Sequence, residues 1–184
     1  MSPKEMLDVV DEKGIPTGET VERVYAHANG IRHRTSHVWL LRKKEDRVQV
    51  LLQKRSANKD SFPGGYDISS AGHIPAGVDF IPSALRELRE ELGVEPDGAN
   101  FIDCGIRNND WDSTFHGKAF HDRQIAKVFA LWLDKDEKEF TVQEEEIESV
   151  LWMDLDECIE KVKANAFPNC IIAEELEDVQ RAIQ

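Results

Sequence analysis

The chain has 184 residues, of which 36 are acidic and 23 are basic, so its formal net charge is −13. A chain of this length is expected to form one domain over residues 1–184, with a core large enough to fold without disulfides. The negative charge argues against non-specific binding to nucleic acid polymers or anionic membranes, which carry charge of the same sign. A polyphosphate substrate would likewise need metal ions or a local basic patch to bind.

The three cysteines, Cys104, Cys158 and Cys170, are widely separated and odd in number. We interpret them as reduced core thiols rather than as disulfides or a metal site. The N-terminus lacks the apolar core of a signal peptide, and no apolar run is long enough to span a bilayer. We therefore expect a cytoplasmic protein without a membrane partner.

The N-terminal part of the chain is predicted to consist mainly of short strands. Residues 1–30 are interpreted as an N-terminal strand with an extension. The expected elements are a strand at 7–11, a loop or second strand at 15–20, a helical turn at 21–28, strands at 38–41 and 48–53 that pair as a hairpin, and a short strand at 66–71.

The second half of the chain continues this alternation. We expect strands at 101–107, 124–133 and 150–153, a polar loop at 108–115, and C-terminal helices at 155–164 and 171–183 within 155–184. Trp39, Trp132 and Trp152 lie in predicted strands and are expected in the core. Trp111 lies in the predicted loop, where it could stack on a base or anchor packing. This order of elements favours an α/β sandwich with a mixed sheet.

The region at 72–94 reads GHIPAGVDFIPSALRELREELGV and predicts a helix. Pro82 suits the first turn, where its missing N–H costs nothing, and Gly93 suits the C-terminus. The helix should turn an apolar face inward, because its leucines recur at helical spacing at Leu85, Leu88 and Leu92.

Glu87, Glu90 and Glu91 share another face of this helix. Like charges at this spacing repel each other, so either the neighbouring arginines or a bound cation should offset them. Divalent ions such as Mg²⁺ prefer oxygen ligands and join carboxylates to substrate phosphates. From the charges alone, a solvated acidic face is the more ordinary interpretation.

The spacing of the whole region resembles the Nudix box, G-x5-E-x7-R-E-U-x-E-E-x-G-U, where U is a bulky aliphatic residue. Eight fixed positions match in register, which is a specific signal: Gly72, Arg86, Glu87, Leu88, Glu90, Glu91, Gly93 and Val94. The first glutamate of the motif is replaced by Val78, with Asp79 adjacent. In the family this glutamate mainly supports the arginine of the motif, so the departure bears on the orientation of Arg86 more than on the metal site.

The resemblance implies a Nudix-type α/β/α sandwich and a hydrolase that cleaves a diphosphate linkage with Mg²⁺ or Mn²⁺. It implies metal ligands at the Gly72 carbonyl, Glu87, Glu90 and Glu91, with Glu87 or Glu90 as the general base. A further ligand is expected from the acidic run 144–146, within which we choose Glu145. The ordinary alternative for this run is a solvated turn.

Residues 54–73 resemble more specifically the isopentenyl-diphosphate isomerase branch of this superfamily. The matching residues are Arg55, Lys59, Pro63, Gly64, Tyr66, Gly72 and His73, and His27 and His33 lie near upstream histidines of that branch. Arg55 and Lys59 are therefore candidate phosphate-binding residues. His73 is a candidate substrate contact, while His27, His33 and His37 are more ordinarily structural or exposed.

The same comparison favours a hydrolase over an isomerase. The isomerase uses a cysteine immediately before its Gly-His pair, and this position is Ala71 here, which has no proton to donate. The isomerase also uses glutamates in a later strand, whereas residues 123–127 contain no acid. A non-catalytic binding module is a further alternative, and Val78 is the one departure in its favour.

The group X attached to the diphosphate is not identified by these patterns. Nucleoside diphosphates, nucleotide sugars, dinucleoside polyphosphates and prenyl diphosphates all remain possible. We expect selectivity to reside in loops such as 108–122. By analogy with related proteins, a homodimer is possible.

Overall fold

A computed structural model describes residues 4–184 of the chain. In chain order the elements are β1 (Met6–Val10), β2 (Pro16–Glu22), α1 (Arg23–Asn29), β3 (His33–Lys44), β4 (Arg47–Arg55), β5 (Tyr66–Asp67), β6 (Ser70–His73), α2 (Phe80–Leu92), β7 (Ile102–Phe115), β8 (Lys118–Trp132), β9 (Ile147–Asp154), α3 (Leu155–Lys163) and α4 (Ala173–Ala182). Short 3₁₀ turns occupy Gly98–Asn100 and Glu137–Glu139. None of the helices within 4–184 is long and apolar enough to cross a membrane.

The main sheet has seven strands and is mixed. Its central path runs β5-β4-β3-β8-β7, with β6 pairing to β3 and β9 pairing to β4. Strands β3 and β8 are parallel, whereas the other pairs are antiparallel. Strand β3 changes partner along its length, because Thr35–Val38 pair with β6 and Leu41–Lys44 pair with β4. This change of partner gives β6 its own place beside the first half of β3.

Helices cover both faces of this sheet, which confirms the predicted α/β sandwich. Alternate residues of β3 point to opposite faces, as the period of a strand requires. Trp39 and Leu41 enter the cluster beneath α3 and α4, while Val38 and Leu40 enter the cluster beneath α2. The N-terminal strands β1 and β2 form a separate two-stranded sheet.

Helix α2 has the boundaries that its sequence predicts. Asp79 precedes it and accepts a hydrogen bond from the Phe80 N–H, at 2.7 Å. Gly93 ends it in the left-handed conformation, at φ 64°, where a residue with a side chain is strained. The buried residues of α2 include Ala84, Leu88 and Leu92. The helix therefore packs its apolar face on the sheet, with Glu91 also buried, and leaves Arg89 and Glu90 exposed to solvent.

The predicted loop at 108–115 is wrong, because these residues form the second half of β7. They pair with β8 from Asn108–Ile125 to Phe115–Lys118. The turn consists of His116 and Gly117, both at positive φ (50° and 75°), as a two-residue hairpin turn requires. Only one face of this hairpin is half-buried, and its polar composition conceals the strand pattern.

Two tryptophans of the predicted core are buried, and one is not. Trp39 and Trp152 are 0% and 6% exposed, but Trp132 is 40% exposed. Trp132 is the last residue of β8, where its ring lies beneath the Lys43 ammonium, 5.8 Å from the ring centre. The cysteines are free thiols as expected, with Cys104 and Cys158 buried and Cys170 half-buried.

Candidate functional site

The candidate site is built where α2 crosses β6. Pairing with β3 fixes β6 so that Gly72 lies opposite Ser36. The Glu87 side chain packs so closely on Gly72 that a Cβ there would lie 2.6 Å from Glu87 Cγ and overlap the carboxyl carbon. Glycine is thus required at this position for steric reasons. The contact joins the first glycine and the first helical glutamate of the motif.

The three glutamates on α2 have different environments. Glu91 is buried and accepts a hydrogen bond from the Ser70 hydroxyl at 2.6 Å, and burial raises its pKa to about 8. Burial also raises the pKa of Glu87, although contact with the Arg86 guanidinium opposes the shift. The Glu90 side chain is 57% exposed. Two carboxylates are therefore largely removed from water, and of the two only Glu87 has a basic side chain, Arg86, in direct contact.

This donor set suits a divalent ion. Carboxylate oxygens together with a backbone carbonyl are the ligands that Mg²⁺ and Mn²⁺ prefer. A bound cation would also lower the pKa of Glu87 and Glu91 and so counteract the effect of their burial. Within 4–184 the oxygen atoms of the three carboxylates do not all lie within 4.8 Å of one another. The ring nitrogens of the histidine cluster described below do.

Two of the predicted phosphate-binding residues lie where β4 ends, because Arg55 is its last residue and Lys59 lies in the loop that follows. The Arg55 guanidinium donates to Asp67 Oδ2 at 2.7 Å and to the Ser61 carbonyl and hydroxyl at 3.0 and 3.1 Å. Lys59 forms an ion pair with Glu146. Arg55 therefore holds the loop together, whereas Lys59 is bound by a single partly exposed carboxylate.

The acidic run of residues 144–146 lies beside the C-terminal end of α2. The Gln143 N–H donates to the Glu91 carbonyl at 3.0 Å, which anchors the segment to the helix. Glu145 itself is exposed, while Glu146 contacts Lys59. The structure thus brings this run near the helix that carries the motif, and gives Glu146 the contact with the basic loop.

His73 lies at the end of β6 in a cluster of imidazoles. Its Nε2 is 3.2 Å from His27 Nε2, and its ring stacks on His33 with centroids 5.1 Å apart. Asp122 Oδ1 lies 3.6 Å from His27 Nε2 and 3.8 Å from His33 Nε2. Burial lowers the pKa of His27 to about 3 and lowers that of His33, and it raises the pKa of Asp122 to about 6. Asp122 was not predicted, because it lies one residue before the acid-free stretch and belongs to no motif.

Trp111 lies in an aromatic cluster beside these histidines. Its ring is 5.4 Å from Phe120 and 5.9 Å from Phe62, and its Nε1 donates to Asp122 Oδ2 at 3.1 Å. Phe120 in turn lies 4.4 Å from the His27 ring. The aromatic face of the β7–β8 hairpin therefore packs, through Phe62, against the loop that contains Lys59.

Comparison with known proteins identifies the family. The family model described as NUDIX domain matches residues 31–173, which is most of the chain. The chain belongs to the Nudix family. Nudix enzymes act on phosphoanhydride bonds and generally need divalent metal ions.

Curated Nudix hydrolases show the same relationship. Nudix hydrolase 3 of Arabidopsis thaliana is 38% identical over 161 residues, which cover 84% of this chain and 20% of the plant protein. An uncharacterized Nudix hydrolase of Clostridium acetobutylicum is 30% identical over 154 residues, covering 84% of this chain and 72% of that protein. The match therefore spans about a fifth of the length of the plant protein and most of the length of the bacterial one.

Solved structures show the Nudix fold. The DR0079 protein of Deinococcus radiodurans has a TM-score of 0.69 at 20% identity, covering 98% of this chain and all of that chain. The Nudix domain of Shewanella oneidensis NrtR, solved with ADP ribose, has a TM-score of 0.60 at 15% identity, covering 82% and 88%. These likenesses support the fold, and they do not resolve the isomerase-like branch that residues 54–73 resemble.

Arg86, the residue that the missing glutamate would support, has incomplete hydrogen bonding in this Nudix box. Arg86 contacts Glu87, and its Nη2 lies 3.4 Å from the His73 carbonyl. Its Nε is buried and has no hydrogen-bond partner within 4–184. Asp79 does not replace the missing glutamate in this arrangement, because it is exposed and accepts from the N-terminal N–H of α2.

Proposed function

We propose that this chain hydrolyses the phosphoanhydride bond of a diphosphate linked to a group X, using Mg²⁺ or Mn²⁺. The ion would be held by Glu87, Glu90, Glu91 and the Gly72 carbonyl, with Glu145 as a further ligand from the loop beside α2. The observation that carries the proposal is the packing of Glu87 on Gly72, together with the burial of Glu91 beside Ser70. These contacts bring the motif residues together and bury them, whereas the carboxylates of an ordinary acidic helix face would be exposed to solvent.

The chemistry that such an ion supplies is charge stabilisation on the phosphoryl oxygens and acidification of the attacking water. Glu87 or Glu90 would serve as the general base that accepts a proton from the attacking water. Arg86 orients Glu87 through their direct contact.

Of the three candidate residues Arg55, Lys59 and His73, we propose that Lys59 and His73 contact the phosphate groups of the substrate directly. Lys59 would exchange Glu146 for a phosphate oxygen, while Arg55 would act mainly by ordering the loop through Ser61 and Asp67. The aromatic cluster at Trp111 supports an X with a flat or apolar group, such as the base of a nucleoside diphosphate. We further propose that 1–184 acts as one Nudix unit, in the cytoplasm and as a homodimer.

The decisive experiment incubates the purified chain with a panel of diphosphates, with and without Mg²⁺ or Mn²⁺. The panel contains nucleoside diphosphates, nucleotide sugars, dinucleoside polyphosphates and prenyl diphosphates. We expect metal-dependent release of phosphate or of a nucleoside monophosphate from one class, and loss of that release by orders of magnitude in Glu90→Gln with Glu91→Gln. Glu95→Gln is the matched control, because Glu95 is exposed and follows the box.

Three outcomes would reject the proposal. Full activity in the Glu90→Gln, Glu91→Gln variant would show that these two residues are not the metal ligands. Tight binding of a diphosphate without turnover would favour the non-catalytic module, for which the unpartnered Arg86 Nε is the supporting observation. Proton exchange at carbon with the diphosphate intact would indicate the isomerase, although Ala71 offers no acid for that reaction.

A further inference from the structure

Two residues of β6 face the motif helix α2, and both are small. Alternate residues of a strand point to opposite sides of the sheet, and Ser70 pairs with Val38, which lies in the cluster beneath α2. Ser70 and Gly72 therefore share the side of β6 that α2 covers. Gly72 lies against Glu87, whereas Ser70 precedes the Nudix box and matches none of its fixed positions.

Ser70 is in direct contact with the motif helix. Its side chain is 0% exposed, and its hydroxyl donates a hydrogen bond to Glu91 Oε2 at 2.6 Å. This distance is short for a hydroxyl donor, as is usual when the acceptor is a carboxylate. The Ala71 backbone N–H is a second donor to Glu91. The Glu91 carboxylate, which is itself buried, is therefore held in one orientation by β6.

The spacing of the two contacts between β6 and α2 matches the geometry of both elements. Glu87 and Glu91 are four residues apart, which corresponds to about 6 Å along a helix axis. Ser70 and Gly72 are two residues apart, which corresponds to roughly 6.7 Å along a strand. The contacts occur in reversed chain order, so α2 runs antiparallel to β6 and each glutamate meets its own residue of the strand.

The neighbouring buried serines make different contacts. The Ser69 hydroxyl donates to the Leu51 carbonyl at 2.6 Å and accepts from the Leu40 N–H at 2.8 Å, so it joins strands within the sheet. Ser36 on β3 is buried as well, but its hydroxyl has no hydrogen-bond partner within 4–184. Of these three serines, Ser70 is the one that donates to a residue of the box in the described part of the chain.

We propose that Ser70 is a positioning residue of the hydrolytic metal site, because its hydroxyl sets the orientation in which Glu91 meets the ion. This inference rests on the proposed function, in which Glu91 is a metal ligand. An unrestrained glutamate side chain has several rotamers, and fixing it before the ion arrives lowers the entropic cost of binding. Side chains that hold metal ligands in this way typically contribute about 10–100-fold to metal affinity.

The test measures Mn²⁺ binding to the full chain from the loss of the electron paramagnetic resonance signal of the free ion. We expect Ser70→Ala to raise the Kd for Mn²⁺ by roughly 10–100-fold. The same substitution should have no further effect in a Glu91→Gln background, because Ser70 acts through this carboxylate and effects within one network are not additive. Far-UV circular dichroism and thermal unfolding check that each variant folds.

Ser69→Ala is the matched control. It removes an equally buried hydroxyl from the adjacent residue, so it should lower the melting temperature and leave the Kd for Mn²⁺ unchanged.

Three outcomes would overturn the role of Ser70. Native affinity in Ser70→Ala would remove this role and leave the metal site in place. No Mn²⁺ binding by the native chain would remove the metal site of the proposed function and the role of Ser70 with it. An equal loss of affinity from Ser70→Ala with and without Glu91→Gln would show that Ser70 acts through another group.

Discussion

The Gly72 backbone on β6 lies directly against the Glu87 carboxylate on α2. A Cβ at Gly72 would overlap the carboxyl carbon, so the glycine is what allows the strand and the motif helix to approach. Two residues separated in the chain by a loop and two helical turns are thereby held in contact. This contact connects the spacing of the sequence motif to its three-dimensional arrangement.

Gly72→Ala is therefore expected to displace Glu87 and to lower kcat by roughly 100-fold, because displacements of about 1 Å have effects of that size. The fold should persist, since the obstructing atoms belong to a side chain. Steady-state kinetics and thermal unfolding measure the two effects. Gly98→Ala is the matched control, because its Cβ would also meet a side chain, Ile81 Cγ2 at 2.8 Å, at a position of α2 where the motif has no fixed residue. Equal activity in both variants would contradict the role of Gly72.

Lys59 and Arg55 should behave differently when truncated. Lys59→Ala should raise KM roughly tenfold with little change in stability, since one charged hydrogen bond contributes about 1.5–3 kcal/mol. Arg55→Ala should lower the free energy of unfolding by roughly 2–4 kcal/mol, because it leaves Asp67 nearly buried without its partner. Urea denaturation and substrate titration distinguish the two. A stable Arg55→Ala protein with raised KM would instead make Arg55 a direct phosphate ligand.

Val78→Glu restores the residue that the family places at this position. The buried Arg86 Nε has no hydrogen-bond partner in residues 4–184 and only the Glu90 carboxylate at 4.0 Å, so a carboxylate at 78 should orient the guanidinium. We expect kcat to rise a few-fold and stability to rise by about 1 kcal/mol. Val78→Gln, which has the same length without the charge, is the control. If Val78→Glu and Val78→Gln are both indistinguishable from the native chain, the departure at 78 has no consequence for Arg86.

The buried pair of His37 and Glu175 should make stability depend on pH. Burial disfavours the charged imidazole, but the charge and the 3.0 Å hydrogen bond of Glu175 prevail, so the pKa of His37 lies above 6.5. The pair therefore stabilises the fold fully below pH 6.5 and loses this contribution as pH rises through the raised value. The slope is at most about 1.4 kcal/mol per pH unit for one proton.

Glu175→Gln tests this dependence, because the amide oxygen still accepts the 2.8 Å hydrogen bond from Trp39 Nε1. Urea denaturation between about pH 6 and 9 should show the native chain more stable than the variant at the acidic end, with the difference shrinking as pH rises. A difference that stays constant across this range would show that His37 is neutral in the folded chain.

Local patterns in the sequence were sufficient for the motif helix. Pro82 and Gly93 predicted the ends of α2, and the structure places this helix at Phe80–Leu92 with Gly93 as its cap. The same patterns placed β1, β2, β4 and β9 to within a few residues, but β3 is much longer than the expected 38–41, the strand expected at 66–71 is divided into β5 and β6, and the β7–β8 hairpin was missed. They did so because the burial of a strand or helix face is written in the spacing of its own residues.

The sequence by itself determined the Nudix family, the identity of the box residues and the α/β sandwich, since each depends on residues close together in the chain. Only the tertiary structure decided which of these residues are buried and what they contact. Asp122 joins His27 and His33 because β8 lies parallel to β3, and Arg55 is engaged by Asp67 through the pairing of β4 with β5. Contacts between distant residues follow from strand pairing and packing, and no local spacing encodes them.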